Sequence, residues 1–235
     1  MLQLVKGVHQ FQKDVFRDHQ ELFRNLARGQ EPAALFITCS DSRICPTLMT
    51  QSKPGDLFVL RVAGNIVPRY DTPFGGEAAT IEYAVSVLGI RDIIVCGHSF
   101  CGAMSALVEC ANLDHLPAVK HYLQHAEQTR HIIETSYSDV TDPARRISLA
   151  IRENVLVQLE NLRTHPCVAQ GLAQGNLSLH GWVYQIETGA VKCYSPEDDR
   201  FLPIDWPQTA EFQASLPDPQ GQIPAARLVA APQHS

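Results

Sequence analysis

Apolar side chains at Leu4, Val8, Phe11, Val15, Leu22, Phe23 and Leu26 recur at helical spacing, which predicts helices over residues 4–28 with a break near His19 and an end at Gly29. The pattern then changes. Residues 34–38, 57–62 and 92–96 are short, nearly continuous apolar runs bounded by turn formers, as in strands buried on both faces. Residues 77–88 and 103–110 have helical composition. Ile147, Ile151, Val155, Leu159 and Leu162 mark one face of a long helix over 145–163, with Pro166 as its stop. Two β-rich runs around Glu187-Thr188-Gly189 in LSLHGWVYQIETGAVKCYS predict a hairpin. Strands alternating with helices make an α/β chain with a central, mainly parallel β-sheet flanked by helices. The expected layout is an N-terminal helical arm over 1–30, an α/β domain over 31–204 closing with an antiparallel strand or hairpin, and a tail over 205–235. Pro, Gln and Ala dominate that tail, and an irregular conformation is expected there.

Composition narrows the functional classes. With 45% hydrophobic and 19% charged residues, the 235-residue chain has ordinary globular values. Nineteen Lys and Arg against 25 Asp and Glu give a net charge of -6 without a dense basic run, so neither nucleic acid nor an anionic membrane surface is an expected partner. No stretch has the roughly 18 uninterrupted apolar residues of a membrane span, and the first residues carry charge where an export signal needs an apolar run. A cytoplasmic location is expected. Seven cysteines, an odd count, then read as reduced thiols rather than a disulfide framework.

Two of the expected strands end in metal-ligand residue types. The first runs into Cys39-Ser40-Asp41-Ser42-Arg43 and the third into Cys96-Gly97-His98-Ser99-Phe100-Cys101-Gly102. Ligands of open α/β sheets collect at the carboxyl ends of strands, so Cys39, His98 and Cys101 converge if the two strands are neighbours. Two thiolates and an imidazole suit zinc, and three protein ligands leave its fourth position open for chemistry. H-x-x-C alone says little, but its combination with C-x-D-x-R is specific. Two thiolates also cancel the charge of the ion, which leaves it a weaker acidifier of water than one held by neutral histidines. Asp41 is placed to accept a hydrogen bond from a water or hydroxide on the metal, with Arg43 holding its carboxylate in a bidentate fork. Cys45, Cys96, Cys110, Cys167 and Cys193 read as small buried hydrophobes, and His121 and His125 as a solvated helix face.

CSDSR at 39–43, RVAGNIVP at 61–68, IEYAV at 81–85 and CGHSFCGAM at 96–104 resemble the β-class carbonic anhydrases. DHLPAVKHYL, RENVLVQLENLRTHP and LSLHGWVYQIETG extend the resemblance to roughly residues 1–203 and are most similar to bacterial and cyanobacterial members. The resemblance implies reversible hydration of carbon dioxide to bicarbonate and a proton by zinc-bound hydroxide, with one zinc per subunit. It implies Cys39, His98 and Cys101 as ligands and Asp41 with Arg43 as the catalytic dyad. Gln30 corresponds to a side chain that donates a hydrogen bond to substrate, Phe58 and Tyr83 to pocket walls with Tyr83 coming from the partner subunit, and Gly102 to a glycine whose N–H faces substrate. Ala63 stands where plant members carry a larger aliphatic residue, which widens the pocket, and Val62 stands where bacterial relatives commonly carry Asn. The Trp and Arg of the bicarbonate-regulated bacterial subgroup have no counterpart that the sequence identifies, so Asp41 is expected on Arg43 rather than on the metal.

The resemblance further implies a homodimer with an interlocked N-terminal helix, or a dimer of dimers. Two other readings use the same residues: hydrolysis of carbon disulfide or carbonyl sulfide, both linear like carbon dioxide, and a carboxysome-associated member whose tail binds a scaffold.

Overall fold

A computed structural model describes residues 1–71 and 74–204. The expected irregular tail therefore lies outside the described residues. Residues Met1–Pro203 form one compact unit.

The arm opens with α1 (Leu2–Gln10), which continues through a π-type turn at Phe11–Val15 into α2 (Phe16–Asp18). The chain leaves the helical region at His19 (φ -116°, ψ 24°), where the apolar spacing breaks, and resumes as α3 (Gln20–Leu26). None of these helices buries a residue. Leu2, Leu4 and Val8 are each more than half exposed (79%, 69% and 56%). An apolar stripe of this size in water calls for a cover.

Six strands follow: β1 (Ala34–Cys39), β2 (Leu57–Val62), β3 (Asp92–His98), β4 (Ser178–Tyr184), β5 (Val191–Ser195) and β6 (Arg200–Pro203), in spatial order β2-β1-β3-β4-β5-β6. The first four pair in parallel and the last two add antiparallel. All six residues of β1 are buried, as its unbroken apolar run requires. Seven further α-helices lie among the described residues: α4 (Pro46–Thr50), α5 (Gly76–Glu82), α6 (Gly102–Val108), α7 (Pro117–Leu123), α8 (Glu127–Ser136), α9 (Pro143–Leu162) and α10 (Pro166–Ala173). Asp142 caps α9 by accepting from the Arg145 N–H at 3.0 Å, ahead of Pro143 in the first turn.

Several boundaries differ from the sequence pattern. The third strand runs on to His98, because Gly97 and His98 pair with Val183 and Tyr184 of β4. The helix expected over 77–88 is α5 followed by a π-type turn at Tyr83–Val87. Pro166 stops α9 and also starts α10, since a proline fits the first turn of a helix. The closing antiparallel portion has three strands. Gly97 and Gly181 let α9 lie close on the sheet: a Cβ at either would sit 3.0 Å from a Val155 methyl. Among the described residues, no helix is long and apolar enough to cross a membrane.

Candidate active site

β1 leads to β2 on one side of the sheet and β3 lies on its other side, so the gap beyond the ends of β1 and β3 is a topological switch point, where open α/β sheets hold ligands. Cys39 ends β1, His98 ends β3, and Cys101 follows in the turn that starts α6. Their ligand atoms lie within 4.8 Å of one another, and all three residues are buried. Among the described residues this is the one such group of three metal-ligating side chains. The neighbouring strands that the motif reading required are present.

The donor chemistry fits zinc. The Nδ1 of His98 lies 2.9 Å from the Ser99 carbonyl oxygen, which fixes Nδ1 as the protonated nitrogen. Nε2 is then a lone-pair donor, and it is buried without any hydrogen-bond partner. An unpartnered buried nitrogen beside two thiol sulfurs is costly unless a cation accepts all three. The Sγ of Cys39 accepts a hydrogen bond from the Gly64 N–H at 3.3 Å. Its thiol is pulled down by a hydrogen bond from Cys101, against the opposing effect of burial. Cys101 is pushed up by the same contact and by burial. Two thiols this close share one proton until a cation neutralises both sulfurs. By contrast Cys96, buried on β3, is pushed up by burial alone and behaves as a small hydrophobe. Cys45 and Cys110 are exposed rather than buried, because each lies outside the strands and helix faces that meet the core.

Asp41 and Arg43 form the expected fork. Arg43 Nε donates to Asp41 Oδ1 at 3.0 Å and Nη2 to Oδ2 at 2.7 Å, and the Arg43 N–H adds a third bond to Oδ1 at 2.9 Å. The guanidinium beside it holds the Asp41 carboxyl well below the usual carboxylate range, against the opposing effect of burial. Asp41 Oδ2 stands 3.9 Å from His98 Nε2, beside the metal position. Arg43 Nη2 also donates to the Phe100 carbonyl oxygen at 3.0 Å, which ties the first ligand loop to the second.

The remaining residues separate into two groups. Ala63 follows Val62, the register partner of Cys39, and Gly102 follows Cys101, so both stand at the metal end. Phe58 pairs with Leu35, four residues before Cys39 along β1 and about 13 Å away at 3.3 Å per residue. Tyr83 stacks on Phe58 at 6.1 Å between ring centroids, and Gln30 precedes β1 at the same far end. Gln30, Phe58 and Tyr83 therefore do not meet the metal ligands of their own chain.

Other contributors were missed in the sequence. Arg61 donates to the carbonyl oxygens of Cys39, Asp41 and Ile44 at 2.7–3.2 Å and so shapes the CSDSR loop from beneath. Ser99 donates to Glu187 at 2.7 Å and accepts from the Ile186 N–H, clamping the His98 loop to the hairpin turn. Within α9, Asn154 donates to the Gly64 carbonyl at 2.9 Å, Gln158 accepts from the Val67 N–H at 2.8 Å and Asn161 donates to the Val67 carbonyl at 2.9 Å. These three buried amides follow helical spacing, a signal hidden among apolar positions that supplied the helix prediction. They hold the left-handed turn at Gly64 (φ 61°), where a Cβ would come within 2.9 Å of Ala103. Replacing Asn154 by Ala leaves buried polar groups unpaired, at a cost of about 2–3 kcal/mol. Calorimetry is expected to show a melting temperature about 5–10 °C lower.

Comparison with known proteins agrees with this geometry. The family model described as carbonic anhydrase matches residues 34–191. A carbonic anhydrase of Pseudomonas aeruginosa is 51% identical over 204 residues, covering 87% of this chain and 92% of the relative. One of Synechocystis is 48% identical over 195 residues, covering 83% of this chain and 71% of the relative. The solved structure of the β-carbonic anhydrase CcaA superposes with a TM-score of 0.85 at 46% identity, covering 88% of this chain and 93% of that one. With the Cys39–His98–Cys101 triangle and the Asp41–Arg43 fork at the switch point of such a sheet, the chain belongs to the carbonic anhydrase family, as a bacterial member of its β class.

Proposed function

We propose that this protein hydrates carbon dioxide reversibly at a site where Cys39, His98 and Cys101 hold one zinc ion and Asp41 directs the attacking oxygen. The observation that carries the reading is the buried, unpartnered His98 Nε2 facing two sulfurs with an ionised carboxylate 3.9 Å away. Bound there, zinc supplies the acidity that makes hydroxide available from water near neutral pH.

The chain's own residues do the rest. Both Asp41 oxygens are engaged by Arg43, so the carboxylate stays ionised and acts as a fixed acceptor beside the metal position. A hydrogen bond donated to it turns a lone pair of the attacking oxygen towards the substrate. Carbon dioxide carries no charge, and apolar walls suit it. As the new C–O bond forms, one C=O electron pair moves onto oxygen, and the Gly102 N–H in the first turn of α6 is positioned to receive that charge.

The pocket is completed by a second copy of the chain. Gln30, Phe58 and Tyr83 lie at the opposite end of the strands from their own metal ligands, and the arm exposes an apolar stripe that the described residues of one protomer leave uncovered. A two-fold dimer brings the far end of one sheet to the metal end of the other and covers the arm. The fungal relative from Sordaria macrospora, 28% identical over 81% of this chain and 94% of that one with a TM-score of 0.73, is tetrameric, in keeping with a dimer that pairs again. A boundary near 30 between arm and α/β domain, and one near 204 before the tail, complete the proposed organisation. The expected location is the cytoplasm.

Stopped-flow hydration on protein of measured zinc content tests the reading. Activity is expected to scale with zinc, to vanish on chelation and to return when zinc is restored. A zinc-loaded protein that hydrates carbon dioxide no faster than buffer, or that prefers carbonyl sulfide, would overturn it.

A further inference from the structure

Between α9 and the sheet lies a cavity of about 280 Å³ whose lining includes none of Cys39, His98 and Cys101. Its floor is apolar: Ile147 and Ile151 of α9, Val183 of β4 and Phe201 of β6. Its walls carry two cations, Arg152 from the helix and Lys192 from the sheet. Lys192 is the register partner of Val183, and directly opposed residues share a sheet face. Val183 faces the core beneath α9, so Lys192 is set on the covered face, where a lysine is uncommon. Neither cation makes an ion pair or a side-chain hydrogen bond among the described residues. The anion lining the cavity, Glu187, is already engaged by Ser99 Oγ at 2.7 Å. The lining thus has a surplus of positive charge over an apolar floor, and half-buried cations with no ion-pair partner among the described residues favour an incoming anion.

The cavity also reaches the catalytic loop. Phe100, a residue 60% exposed, lines it with a left-handed backbone (φ 57°), an uncommon conformation for a bulky residue that its surroundings must hold. The carbonyl oxygen of Phe100 accepts from Arg43 Nη2, the atom that also grips Asp41. A molecule packed against Phe100 therefore bears on the peptide that positions the fork.

We propose that this cavity is a second binding site, for a small monocarboxylate with an apolar body, and that its occupant acts on the Asp41–Arg43 pair through the Phe100 peptide. The carboxylate pairs with Arg152 and Lys192 while the body covers Ile147, Ile151, Val183 and Phe201. No bond is made or broken in the bound molecule.

Benzoate is the probe, with benzyl alcohol as its uncharged counterpart, titrated by calorimetry into the zinc-loaded full-length enzyme. Benzoate is expected to bind at least tenfold more tightly than benzyl alcohol. Its affinity is expected to fall tenfold or more in the double variant Arg152→Gln/Lys192→Gln, and also in Ser148→Trp, which fills the cavity and leaves both cations in place. Saturating benzoate is expected to change kcat/KM for carbon dioxide at least twofold in the parent and not in the double variant, whose rate without benzoate matches the parent's. Equal benzoate affinity in parent and double variant would place the binding at the metal or elsewhere and overturn the site. Equal affinity for the alcohol would overturn the carboxylate class, and tight binding with no change in rate would overturn the coupling to Arg43. The binding measurement needs no hydration activity, so its failure is distinguishable from failure of the carbon dioxide reading.

Discussion

Asp41→Asn is expected to lower kcat for carbon dioxide hydration by about a hundredfold to a thousandfold while leaving zinc content at one ion per chain. The ligands Cys39, His98 and Cys101 keep their own contacts in this variant, since none of them depends on the carboxylate for position. What changes is the acceptor beside the metal. An amide presents one oxygen and one N–H₂ group, and the oxygen is claimed at the Oδ1 position, where Arg43 Nε and the backbone N–H donate now, while Nη2 loses its acceptor at the Oδ2 position. The N–H₂ group is left facing the attacking oxygen and offers it a donor where an acceptor is needed. The pH dependence carries the same signature. Arg43 holds the Asp41 carboxyl well below the usual carboxylate range, so the ion pair is present above the ordinary carboxylate pKa and is lost only as pH falls through that lowered value. Between pH 6 and 9 the parent's profile is thus expected to contain no step from Asp41. A variant with full activity and full zinc would remove Asp41 from the mechanism.

Mixing two inactive variants is expected to restore activity if the pocket is shared between protomers. Gln30→Ala/Tyr83→Ala damages the far end of the sheet, with an expected loss of about a hundredfold, the scale seen when a donor to developing charge is removed. Asp41→Asn damages the metal end. Unfolding, mixing and refolding the two with zinc gives mixed dimers in which one pocket carries both lesions and the other carries none. Random pairing puts half the dimers in that class, so activity is expected to recover to about a quarter of the parent's. If Gln30 and Tyr83 instead served their own metal, each pocket of a mixed dimer would keep one lesion and the mixture would stay inactive. The register argues for the first outcome, because the pairing of β1 with β2 sets Phe58 about 13 Å along the sheet from Cys39, and Tyr83 stacks on Phe58.

Much of this protein was legible in its sequence because local physics fixes it. Nearly continuous apolar runs read as strands buried on both faces, and β1 and β3 are such strands, whereas β2, read the same way, is only partly buried because it forms the edge of the sheet. Helical periodicity located α9, and the lost spacing at His19 located the break in the arm. The metal triangle was legible as a conditional, since Cys39, His98 and Cys101 each end or follow a strand, and the pairing of β1 with β3 meets the condition that the two strands be neighbours. Tertiary structure alone decided the rest. Arg61 reads as one charged residue in an apolar strand until the CSDSR loop folds back over it and presents three carbonyls. Asn154, Gln158 and Asn161 acquire their role only when α9 lies across the turn at Gly64. Lys192 becomes a charge on a covered face only through its register with Val183. The division between Gln30, Phe58 and Tyr83 at one end of the sheet and the metal ligands at the other follows from strand register, a long-range property. Spacing along a chain encodes which side of its own element a residue occupies, whereas distance between elements is set by pairing and packing, which no single segment contains.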